Sequence, residues 1–120
     1  MPTPNTLERF IARVEQNAHV EAIQEFYTEG ASMQENLAPP RVGRDVLVAH
    51  EAKALARAAS VHSTCVRPVL VNGDQVVIRW VFHMTGKDGK TRRFEELAHQ
   101  HWEGDVIVRE RFFYDPGQFA

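Results

Sequence analysis

The chain has 120 residues, 43% hydrophobic and 25% charged, a balance that suits one domain with one core. The formal net charge is -2 and the pI is near 6.3, and the basic residues form no stripe, so there is no electrostatic case for nucleic acid. The N-terminal MPTPNTLERF has no basic segment followed by an apolar run, and no window reaches the length of a membrane span, so the cytoplasm is the expected compartment.

Asn5 or Thr6 is expected to cap a first helix, in which Leu7, Phe10, Ile11 and Val14 keep helical spacing as far as Asn17. A second short helix is predicted over His19–Phe26, followed by a break at Tyr27 to Gly30. Ala31 to Asn36 reads as a short strand, ended by Pro39-Pro40. Asp45 suits the N-cap of a third helix running from Val46 to Ala59. Beyond Ser60 the pattern turns to strands. The first, Val61 to Val71, carries Pro68 and is therefore an edge strand or a bulged one. The lone cysteine, Cys65, lies in it as a small apolar residue, without a metal-ligand spacing around it. Asn72-Gly73-Asp74 is a hairpin signal. The next strand, Gln75 to Thr85, puts Val76, Ile78, Trp80, Phe82 and Met84 on one face. Two further strands, Arg92–Glu103 and Val106–Asp115, complete a meander. Helices first and long strands second predict an α+β fold, three helices packed on a curved antiparallel or mixed sheet. Such a cone has an open end where a ligand can bind.

The last quarter is the most informative. Glu96, Gln100 and Glu110 sit among Trp102, Phe112 and Tyr114, and a simple core face would not carry carboxylates. Gly104-Asp105 as a two-residue turn pairs Trp102 with Ile107, which places Glu96 and Gln100 on the Trp102 face. Strict alternation in the last strand would add Arg109 and Arg111 to that face. One β-bulge near Val108-Arg109 would add Glu110, Phe112 and Tyr114 instead, and this register is preferred because it leaves arginine outside.

Three segments carry a resemblance: APPRVGRD (Ala38 to Asp45), GDQVVIRW (Gly73 to Trp80) and WEGDVIVRERFFYD (Trp102 to Asp115). In order and spacing they resemble the SnoaL-like branch of the nuclear-transport-factor-2-like superfamily, over nearly the whole chain. The resemblance implies a cystatin-like cone of three helices on a strongly bent sheet, an apolar pocket, and a homodimer through the sheet face. Members include cyclases, isomerases, dehydratases and non-catalytic binding domains. The stretch from Asn36 to Asp45 is also similar to the limonene-epoxide-hydrolase branch. Its Asp–Arg–Asp set would align with Val76, Ile78 and Phe112 here. All three are apolar, so that hydrolysis is not expected.

The candidate site follows from both lines. Glu96 and Glu110 are the acid/base candidates, since a carboxyl among large aromatics loses solvation and its pKa rises. Tyr114 is the candidate donor to a substrate oxygen. Asn36, Trp80, Gln100, Trp102 and Phe112 are the candidate substrate-binding residues. The bland alternatives are a buried hydrogen-bonded network for the polar groups and a turn cap for Asn36. His99 and His101 share a strand face, but no metal site and no cofactor are expected. The expected partner is a small apolar or aromatic molecule bearing a carbonyl or hydroxyl, with neither nucleic acid nor membrane involved.

Overall fold

A computed structural model describes residues 1–119. Helix α1 spans Pro4–Glu15 and begins earlier than expected: Thr3 is the cap, its hydroxyl accepting from the Thr6 amide at 3.2 Å, with Pro4 in the first turn. Proline needs no amide partner there and its φ is already helical, so it draws the start forward. Leu7, Phe10, Ile11 and Val14 are buried, as their spacing predicts. Asn17 takes a positive φ of 63° and turns the chain into α2, His19–Phe26. No break follows. Tyr27 is the buried first residue of β1, Tyr27–Glu35.

A short strand β2, Arg41–Val42, leads to α3, Arg44–Ala56. Gly43, not Asp45, is its cap, because the turn out of β2 requires φ 105° and only glycine takes that cheaply. Asp45 lies in the first turn instead. The helix also stops short of Ala59. Strand β3 begins at Ala58 and runs to Asn72, so pairing with the next strand overrides the helix preference of Ala58 and Ala59. Strands β4 (Gln75–Gly86), β5 (Thr91–Glu103) and β6 (Val106–Phe113) follow. A 3₁₀ turn, Pro116–Phe119, closes the described chain.

The six strands form one mixed sheet in the order β2-β1-β6-β5-β4-β3, with β1 parallel to β6 and the other pairs antiparallel. Pro68 sits on the outermost strand β3, where a missing amide costs no ladder bond. Cys65 is buried in the same strand, and burial pushes its thiol pKa up, away from thiolate chemistry.

The β5–β6 register has the expected bulge. Trp102 pairs with Ile107 but His101 pairs with Arg109, leaving Val108 as the extra residue. The bulge sets Gln100 opposite Glu110 and Ala98 opposite Phe112. Helices α1 and α2 pack on this face. Trp102 is fully buried, its indole edge-on to Phe10 at 5.8 Å. Helix α3 contributes only Leu47 to the fully buried set and lies beside α2, β1 and β3. The helices therefore seal one end of the concave sheet and leave space at the other.

Candidate active site

That space is a cavity of about 220 Å³. All three helices line it, through residues such as Phe10, Ile23 and Leu55, against the inward faces of β1, β4, β5 and β6. Its aromatic walls include Trp80, Phe82 and Phe112; the Trp80 and Phe82 rings are stacked with centroids 6.1 Å apart. Its polar lining is almost wholly acidic: Glu35, Glu51, Glu96 and Glu110, with His19.

Glu110 is buried, 4% exposed, and is held from two sides. Tyr27 donates its hydroxyl to Oε1, and Gln100 Nε2 donates to Oε2 at 2.6 Å. Gln100 is fixed in turn, since its Oε1 accepts from Trp102 Nε1 at 3.0 Å. The run Trp102, Gln100, Glu110, Tyr27 thus leaves none of these buried groups unsatisfied. Desolvation nevertheless pushes the Glu110 pKa up to about 7, against the lowering effect of its two donors, and the Glu51 charge adds to the rise. Burial, and then the Glu110 carboxylate beside it, hold the Tyr27 hydroxyl well above its ordinary pKa.

Glu96 differs. It lies across from Trp80 on the neighbouring strand and opens on the cavity, and no side chain or backbone group among the described residues hydrogen-bonds it. Burial, then the charges of Glu110, Glu51 and Glu35, push its pKa up to about 8. Of the two candidate carboxyls, then, one is anchored and one is free.

Among the other expected binding residues, Trp80 and Phe112 line the cavity. Gln100 and Trp102 stand behind it, acting through Glu110. Tyr114 lies beyond the end of β6, edge-on to Phe119 at 5.4 Å, and is not among the lining residues. Asn36 occupies a turn with φ 50°: its Oδ1 accepts from the Tyr114 amide at 3.0 Å and its carbonyl accepts from Arg111 Nε at 2.9 Å. It clamps the end of β1 to β6, close to the bland turn-capping role.

Three lining groups stand outside the candidates expected from the sequence: Tyr27, His19 and Glu51. His19 bridges Glu51 Oε1, 3.2 Å from Nδ1, and Ser63 Oγ, 2.7 Å from Nε2. The signal was present: His19 lies four and seven residues before Ile23 and Phe26, on the buried stripe of α2, and Glu51 lies four after the buried Leu47. A polar residue on an apolar stripe marks a cavity or a network.

No group of three or more His, Cys, Asp or Glu among the described residues is arranged to hold a metal ion. His99 and His101 both face Gln75 on the adjacent strand, at 2.8 and 2.5 Å. Among the described residues, no helix is long and apolar enough to cross a membrane.

Comparison with known proteins agrees with this architecture. No protein of curated function matches the sequence. Among solved structures, a Mesorhizobium loti protein described by its likeness to SnoaL-like polyketide cyclases is 22% identical, with a TM-score of 0.75 over 92% of this chain and 97% of that one. A Catenulispora acidiphila protein with a ketosteroid-isomerase-like fold, crystallised with trimethylamine, is 17% identical, with a TM-score of 0.80 over 97% and 89%. An epoxide hydrolase from M. tuberculosis is 11% identical, with a TM-score of 0.75 over 95% and 83%. At such identities these matches speak for the fold. The SnoaL-like domain profile matches residues 7–110, and the chain belongs to the SnoaL-like family.

Proposed function

We propose that this protein binds a small carbonyl or hydroxyl compound in its cavity and moves protons on it without a cofactor, with Glu96 as the proton-transfer group. The observation that carries the proposal is a carboxyl without a protein partner, opening on an aromatic-walled cavity; burial there pushes its pKa up to about 8. Ionised Glu96 takes a proton from the carbon beside a carbonyl, and the C–H electron pair moves into an enolate. Return of the proton to a different carbon completes an isomerisation. Loss of a neighbouring hydroxyl as water completes a dehydration, and attack of the enolate carbon on a second carbonyl completes a cyclisation. Glu110, both of whose oxygens accept hydrogen bonds, flanks the substrate as an anchored carboxyl, and Gln100 and Trp102 are positioning residues for it. The apolar Val76, Ile78 and Phe112 supply none of the charged groups that epoxide hydrolysis in the related branch uses.

A carrier without catalysis is the second reading. It is favoured by the scarcity of uncommitted donors: the Tyr27 hydroxyl is spent on Glu110, and Tyr114 is not among the residues that line the cavity. Exchange of the α-hydrogens of 2-tetralone in D₂O separates the two. The catalytic reading expects acceleration over buffer that falls by a factor of about 10² or more in Glu96→Gln. No acceleration by the wild type, or full activity in the variant, contradicts it.

The outer sheet face is the proposed dimer surface. Leu97 and Phe113 pair there and are 44% and 40% exposed. Light scattering should then give twice the chain mass.

A further inference from the structure

The charge lining the cavity has one sign. Four carboxylates reach it and no lysine or arginine does. Two of the four have a cationic or imidazole partner: Arg41 Nη2 lies 3.5 Å from Glu35, and His19 lies 3.2 Å from Glu51. Glu110 receives only the neutral donors of Tyr27 and Gln100, and Glu96 receives none. These last two carboxyls face the same space, and the Glu110 charge disfavours ionisation of Glu96. An anionic ligand would add a further negative charge to this set. A neutral ligand would leave both carboxyls as they are, whereas a cation would offset the charge of their ionised forms.

The rest of the wall is made of ring faces. Trp80 and Phe82 form a stacked pair on β4, and Phe112 stands on β6, across β5 from them. Aromatic faces attract organic cations more than neutral alkyl groups of the same shape, most strongly where water is excluded. Carboxylates beside stacked rings therefore satisfy both halves of an ammonium group, its charge and its apolar surface.

We propose that the cavity selects a small organic cation, an amine or quaternary ammonium compound, with its nitrogen seated between Glu96 and Glu110 against the rings of Trp80, Phe82 and Phe112. This names the substrate class of the proton-transfer site described above and rests on that reading of the cavity. It also supplies a reason for the free carboxyl. A bound cation favours ionised Glu96, which is the form that abstracts a proton, so the substrate itself arms the base. The same positive charge stabilises an enolate developing beside it.

The test compares choline with its neutral isostere 3,3-dimethylbutan-1-ol, which have the same shape and differ in charge. Binding is followed by calorimetry and by the indole signal of Trp80 in two-dimensional NMR, at fixed ionic strength. The expected result is choline binding at least about tenfold tighter, a preference of about 1.4 kcal/mol. That preference should shrink in Glu96→Gln and in Glu110→Gln. Tighter or equal binding of the neutral alcohol overturns the cation assignment while leaving the cavity a ligand site. A choline preference that survives in both variants also overturns it. Binding of neither compound, together with no 2-tetralone exchange, overturns the assignment along with the reading of the cavity on which it rests. The wild-type comparison needs no variant, so a folding defect in either variant does not protect the proposal.

Discussion

Glu96 and Gln100 lie four residues apart on one face of one strand, yet their surroundings differ in kind. Gln100 is fully buried, with both ends of its amide bonded, beneath the packed rings of Trp102 and Phe10. Glu96 faces the cavity without a partner. The strand alone cannot create that difference, since its period only decides which side a residue faces. The helices above decide what that side is. Helix α1 brings Phe10 down onto Trp102 and seals one end, whereas α3 leaves room between its polar Glu51 and the sheet. Buried polarity is therefore structural at the closed end of the face and chemically available at the open end.

The largest expected effect lies at the closed end. Trp102→Ala removes a fully buried indole, its edge contact to Phe10 and the donor to Gln100, and should cost about 3–5 kcal/mol in denaturant unfolding. A loss below about 1 kcal/mol would mean that this end is not close-packed.

The open end should announce itself through pH. Glu96 and Glu110 have pKa values near 8 and 7 in the folded chain against an ordinary 4.5. Between those limits the folded state holds protons that the unfolded state has released. Their contribution to stability is thus present below about pH 4.5 and is lost as pH rises towards 8. Glu96→Gln should flatten this decline and gain roughly 1–3 kcal/mol over the wild type at pH 9, measured by urea unfolding at several pH values. A variant that is less stable at pH 9 would contradict a desolvated Glu96.

The smallest effect belongs to neither end. Asn36→Ala loses the bond from the Tyr114 amide and places alanine at positive φ, costing about 1 kcal/mol without altering ligand affinity. A large fall in affinity would return Asn36 to the site.

The closed end was the more legible in the sequence. The Gly104-Asp105 turn and the avoidance of inward arginine are enough to foresee a bulge near Val108-Arg109 and to bring Glu110 onto the face of Gln100 and Trp102. These are short-range constraints, each set within one hairpin. Tyr114 and Asn36 lie just past the ends of β6 and β1, where period two no longer reports which way a residue faces. His19, Tyr27 and Glu51 were missed because their meeting depends on how α2 and α3 pack over the sheet, a long-range arrangement that strand alternation cannot report. The start of β3 was misplaced for a related reason: Ala58 and Ala59 favour a helix locally, and only the pairing of β3 with β4 overrules them.

The claim on which the rest depends is that Glu96 is a free, desolvated carboxyl inside the cavity. Carbon-detected NMR of its side-chain carboxyl across pH 3 to 10, assigned with Glu96→Gln, measures this directly. The account predicts a midpoint near 8. A midpoint near the ordinary 4.5 would mean a solvated surface group and would contradict the account.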